Sequence, residues 1–242
     1  MAGKIHFAVA LLLMSLVTPV KAELDDAVKL MNGGDFKGAV EELKPLVELG
    51  LPQALYHQAT LYERGLGVTK SQTKAFELYQ RAAGRGIPEA QFALAQMYLE
   101  GRGTVKSARQ GFEYTRRAAE KGLAAAQYNL GVMYHFGENT NQNFVKAAIW
   151  YEDAAMQNYA LAQFNLAILH FEGKGVSKSI EQSYIWNRVA AFNGYEPAEK
   201  SMNMDSVKLS RDQIKRCREQ ADELYLKLTP KVETYKPFSW DQ

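Results

Sequence analysis

One spacing dominates this sequence. Written in rows of 36, residues 52–87, 88–123, 124–159 and 160–195 align without a gap. Alanine recurs at Ala54, Ala90, Ala126 and Ala162, and an aromatic ring follows two residues later at Tyr56, Phe92, Tyr128 and Phe164. Small residues recur at Ala59, Ala95, Gly131 and Ala167. Tyr62, Tyr98 and Tyr134 form a further column, which His170 completes. Then come Gly65, Gly101, Gly137 and Gly173, a second turn column of Gly67, Gly103, Asn139 and Gly175, and Ala-Ala pairs at 82–83, 118–119, 154–155 and 190–191. Self-similarity at a fixed interval of this length marks a repeat architecture, in which each unit buries its apolar face only by stacking on its neighbours.

Within a row, the spacing predicts two helices. The first covers about 52–64 of row one, where alanine, small residues and tyrosine recur at three- and four-residue intervals. The following glycine stops it, because glycine accepts the left-handed conformation of a helix end. Asn139 is the best non-glycine substitute in the second turn column. The second helix covers about 72–84, with Ala75, Leu78, Tyr79, Ala82 and Ala83 on its packed side. Trp150 and Trp186 are larger fillers of the Leu78 column. Alanine and glycine where helices cross let backbones approach, and aromatic rings fill the remaining volume.

These columns resemble the Sel1-like repeat, a relative of the tetratricopeptide repeat. Row three carries the resemblance best: Ala126-Gln127-Tyr128-Asn129-Leu130-Gly131-Val132-Met133-Tyr134, then Gly137, then Ala147-Ala148-Ile149-Trp150-Tyr151 with Ala154-Ala155. Gln58 departs from the family's leucine, His170 from its tyrosine, and Glu138-Asn139-Thr140-Asn141 lacks its glycine-valine. The resemblance implies an all-α fold, a right-handed α-solenoid of stacked helix pairs. Residues 23–51 resemble a generic tetratricopeptide-like pair, with Phe36, Val40, Leu43 and Val47 on the second helix. Residues 196–228 read as a partial fifth repeat that decays by Asp205, followed by a capping helix. Ser210 and Gln213 make its capping box, and Ile214, Cys217, Ala221, Leu224 and Leu228 make its packed face. Residues 229–242 are a proline-interrupted tail bearing Tyr235, Phe238 and Trp240. It either fills a groove of the array or forms a second contact with a partner.

The N-terminus has the three parts of a secretory leader: Lys4, an apolar core over Ile5 to Val17, then Pro19 with small residues at Val20 and Ala22. The core is too short to cross a bilayer, which needs about 20 apolar residues. Cleavage is expected after Ala22, leaving a periplasmic chain that begins at Glu23 with no transmembrane segment. Removing Lys4 and Lys21 leaves 27 basic against 27 acidic residues. A neutral chain without a basic block is a poor nucleic-acid ligand. One cysteine excludes a disulfide framework and a multi-cysteine zinc site.

Catalytic patterns are missing: no His-Glu-x-x-His, no Gly-x-Ser-x-Gly and no phosphate loop. The glycines of the repeat are helix stops. His57, His135 and His170 are not paired at helical spacing, so no metal, cofactor or catalytic residue is expected. Cys217 reads as a buried thiol, with a disulfide-linked dimer left open. What remains is recognition. In tetratricopeptide arrays, first helices line the concave face. The resemblance therefore places Tyr56, Phe92, Tyr128 and Phe164 near it, with Thr60, Gln96, Val132 and Ile168, and Glu63, Leu99, His135 and Phe171, further inward. The aromatic column is equally compatible with inter-repeat core. The groove grows more apolar toward rows three and four. The expected partner-binding residues are Tyr128, Val132, His135, Phe136, Phe164, Ile168 and Phe171. The expected function is non-catalytic binding of a protein or peptide partner in the cell envelope. A structural adaptor of a secretion, motility or polysaccharide-export assembly is the second reading. Hydrolase activity ranks third, because the label borne by some cysteine-rich relatives belongs to a branch defined by cysteine pairs that are missing here.

Overall fold

The computed structural model describes residues 22–229. All regular structure among the described residues is helical. The N-terminal pair is α1 (22–32) and α2 (Phe36–Glu48). Row one holds α3 (Pro52–Arg64) and α4 (Gln72–Gly84), and row two α5 (Pro88–Glu100) and α6 (Ala108–Glu120). Row three holds α7 (Ala124–Phe136) and α8 (Phe144–Ala155), and row four α9 (Ala160–Glu172) and α10 (Ile180–Phe192). The chain continues through α11 (Glu196–Ser206) and α12 (Arg211–Leu228). The expected leader core and the tail residues Tyr235, Phe238 and Trp240 lie outside the described residues.

Each first helix ends at a left-handed glycine: Gly65, Gly101, Gly137 and Gly173 have φ of 73°, 77°, 72° and 73°. The connection to the second helix is pinned by one bond in all four rows. The backbone N–H groups of Ser71, Ser107, Asn143 and Ser179 donate to the carbonyls of Tyr62, Tyr98, Tyr134 and His170 at 2.8–2.9 Å. The side chains of Ser71, Asn143 and Ser179 then cap the helices they precede, as Asp35 caps α2. The second glycine of the turn has a different task. A Cβ at Gly175 would lie 2.2 Å from the Phe144 carbonyl oxygen, so this loop reaches the backbone at the start of the preceding second helix. Asn139 adopts φ 60° in the same column.

Alanine fills the helix crossings: Ala54, Ala90, Ala126 and Ala162 of the first helices, and Ala82, Ala118, Ala154 and Ala190 of the second, are fully buried. Beside the first of these columns runs a buried glutamine ladder. Gln91, Gln127 and Gln163 donate from Nε2 to the carbonyls of Ala83, Ala119 and Ala155 at 3.3, 3.3 and 3.1 Å. Each carbonyl also accepts the backbone N–H of Gly86, Gly122 or Asn158 at 2.9–3.0 Å, so the glutamine is its second donor and ties the following first helix to the end of the preceding second helix. The chain forms two compact units, the first ending at Ser107 and the second beginning at Ala108. In the first, α2 to α5 pack in sequence. In the second, α6 to α10 do so, and α10 also meets both α11 and α12.

Two readings of packing change. On α2 the buried residues are Ala39, Leu43, Leu46 and Val47, with Phe36 and Val40 only half-buried. These four stand 36 residues before Ala75, Tyr79, Ala82 and Ala83, so the repeat's own columns set the packed face of this helix. Thr60 is buried rather than inward-facing, 3.1 Å from the Tyr79 hydroxyl. On α12 the capping box at Ser210 and Gln213 forms, Cys217 and Ala221 are buried, and Ile214, Leu224 and Leu228 are half-buried against α10.

Candidate functional site

The seven expected contact residues all lie on α7 and α9, the first helices of rows three and four, within the second unit. They form three patches. The first surrounds Tyr151, a fully buried ring delivered by α8. His135 Nδ1 lies 3.3 Å from its hydroxyl, and Tyr128 packs 6.0 Å from its ring and 5.2 Å from that of Tyr159. Val132 packs against the same core. Gly131 makes room for this arrangement, since a Cβ there would lie 2.6 Å from the Tyr151 ring. Phe136 stacks on His135 with centroids 4.4 Å apart, yet is 62% exposed. Burial pushes the Tyr128 and Tyr151 phenols up and holds the His135 imidazole below its usual range, so the patch is uncharged at neutral pH.

The second patch is Phe164, whose ring packs 5.0 Å from Tyr195. The aromatic column is therefore neither free surface nor closed core: Tyr56, Phe92, Tyr128 and Phe164 are all half-buried. The third patch is Ile168 and Phe171, which line a cleft of about 120 Å³ with Met204 of α11. Its inner wall is polar. Asp205 and Asn187 are each only 2% exposed, and Ser183 lies beside them. The Ser183 hydroxyl donates to Asp205 Oδ2 at 2.7 Å, and Asn187 Nδ2 donates to the same oxygen at 3.0 Å. Burial raises the Asp205 carboxyl, while these two donors and Lys208 pull it back. Lys208 Nζ stands 3.9 Å from the Phe171 ring centroid.

Rows one and three resolve the same positions differently. In row one the Tyr79 hydroxyl donates to Glu63 Oε2 at 2.8 Å, and Glu63 also pairs with Arg102. The position equivalent to Phe171 is thus consumed internally there. The sequence reading missed Ser183, Asn187 and Asp205, although the columns signal each one. Ser183 stands where other rows have Ala75 and Ala147, and Asn187 where they have Tyr79 and Tyr151. Asp205 stands where they have Leu61, Met97, Met133 and Leu169.

Elsewhere, Cys217 is buried against Tyr184, Ile185 and Val189, and burial raises its thiol. Among the described residues, no group of three His, Cys, Asp or Glu side chains is placed to hold a metal ion. No described helix is long and apolar enough to cross a membrane.

The Sel1 repeat pattern matches residues 52–87, 88–123, 124–159 and 160–194. A Sel1 repeat protein from Oxalobacter formigenes is similar in structure, with a TM-score of 0.71 at 22% identity over 83% of this chain and 84% of that one. A protective antigen of uropathogenic Escherichia coli, c5321, which displays the same fold, superimposes with a TM-score of 0.67 at 26% identity, over 83% of this chain and 46% of that one. A putative Sel1 repeat protein from Klebsiella pneumoniae gives 0.51 at 18% identity over 77% and 93%. No curated protein sequence matches the chain.

Proposed function

The chain belongs to the Sel1 repeat family, whose members mediate protein–protein interaction, and from that premise we propose that it is a periplasmic, non-catalytic binding module. Its partner is a protein or peptide of the cell envelope, docked on the α7 and α9 face. The observation that carries this reading is Phe136. A phenylalanine 62% exposed, stacked on a histidine and continuous with a half-buried aromatic patch, is costly in water and useful in an interface. Aromatic residues dominate binding energy, with anchors costing about 2 kcal/mol or more on truncation. The leader supports the compartment.

A photo-crosslinking residue at position 136 should trap the partner in periplasmic extracts, and the same residue at Val105, which is still more exposed but belongs to neither α7 nor α9, should not. The double variant His135→Ala with Phe171→Ala should keep its helicity and lose partner capture. Capture that survives the double variant places recognition on another face. Intact mass of the exported protein should correspond to a chain beginning at Glu23.

A further inference from the structure

The repeat breaks toward polarity at one place. Tyr79 and Tyr151 fill the volume between the two helices of their rows, and their hydroxyls reach Glu63 and His135. Row four carries Asn187 in that column and Phe171 opposite it. Asparagine is too short to fill the space of a phenol, and the cleft of about 120 Å³ stands beside it. The volume is that of one side chain.

The chemistry of the wall selects which one. Asn187 Nδ2 donates to Asp205, which fixes the amide, because a flip would set Oδ1 against the carboxylate. Oδ1 is consequently buried without a hydrogen-bond partner among the described residues. A buried, unpaired acceptor in a native structure calls for a donor. With the Asp205 carboxylate next to it, the wall offers acceptors and negative charge. The opposite walls, Ile168, Phe171 and Met204, are apolar. The Phe171 ring already attracts a cation, the chain's own Lys208.

We propose that this cleft receives a lysine or arginine side chain of the protein partner, its cationic head on Asn187 Oδ1 and Asp205 and its alkyl stem along Ile168, Phe171 and Met204. The proposal rests on the interaction role for the carrier of the side chain, not for the chemistry of the cleft. Lys208 is exposed and competes for the Phe171 face, so its ammonium must yield to the incoming one.

The test needs no partner. The full chain is titrated with n-butylammonium and n-butylguanidinium, the basic side chains without their backbone, against n-pentanol and p-cresol as neutral competitors in shape. Methyl NMR shifts at Ile168 and Met204 report binding. Saturable shifts with both cations, and much weaker ones with the neutral compounds, are expected. Asp205→Asn, which keeps the size of the side chain and its role as acceptor, should weaken cation binding about tenfold, the factor carried by one charge-assisted hydrogen bond. Lys208→Gln should tighten it. Ser201→Phe, at the rim, should abolish it and serves as the blocking variant if Asp205→Asn fails to fold. Binding of p-cresol or n-pentanol as tight as that of the cations would overturn the proposal, as would an unchanged affinity in folded Asp205→Asn or Ser201→Phe. Cation binding with no effect of the α7 and α9 variants on capture would leave the cleft standing and remove the partner from this face. Capture that depends on those variants without cation binding would do the reverse.

Discussion

His57 sits on α3 with its ring mostly buried and Nδ1 unpaired, and burial alone lowers its pKa from 6.5 to about 4. The unfolded chain takes up a proton near pH 6.5, whereas the folded chain resists it until about pH 4. Stability from this residue is therefore complete above pH 6.5, falls across the interval between the two values, and is flat below it. The full loss is about 3 kcal/mol. Rows three and four carry Asn129 and Asn165 at this position. Urea unfolding at pH 7 and pH 4.5 should therefore show a much smaller acid loss in His57→Asn than in the parent chain. An equal loss in both would place the acid sensitivity elsewhere. The alanine columns make a second prediction at this scale. Ala126 and Ala154 are fully buried, so Ala126→Leu and Ala154→Leu should each cost about 1–3 kcal/mol through overpacking. Denaturant midpoints check this, and neutral stability in both would mean the crossings are not close-packed.

At the scale of the element, turn glycines separate into two kinds that look alike in sequence. Gly175 and Gly194 have φ of 71° and 83°, but only Gly175 meets another backbone on gaining a Cβ. Gly194→Ala should lose about 1 kcal/mol, the cost of a left-handed alanine. Gly175→Ala should lose clearly more, because the Phe144 carbonyl must also move. Thermal unfolding of the two variants measures the difference, and equal losses would mean the loop shifts freely. Helix identity and the positions of the turn glycines were legible because glycine and alanine columns report backbone geometry directly, whereas the close approach at Gly175 depends on a neighbouring backbone that no column shows. The packed face of α2 was less legible. Taken alone, its apolar residues suggest Phe36 and Val40, and only the repeat register shows that Ala39 and Leu46 occupy the buried columns. The glutamine ladder was invisible for a related reason: a polar column reads as surface unless a backbone carbonyl of the neighbouring helix is known to lie within its reach.

At the scale of the molecule, the same repetition that makes the architecture legible hides the site. Columns reveal what every row shares, whereas Asn187 and Asp205 matter because they break their columns, and nothing in one chain says which departures meet in space. Contacts in the second unit run mainly between helices adjacent in sequence, with α10 bound on its far side by α11 and α12. Stability in such an array is a sum of local terms, so damage at one end should fade with distance. Truncating the chain after Leu209 removes α12, and with it Cys217 and Ala221 from the cluster that covers Tyr184, Ile185 and Val189. Amide hydrogen exchange should then show α10 losing most of its protection, α9 less and α7 least, with α3 and α4 of the first unit unchanged. Restoring α12 as a separate peptide should return protection to α10 first. A uniform loss across all helices would mean that the array unfolds as one cooperative block, and that α12 acts on the whole rather than on its neighbour.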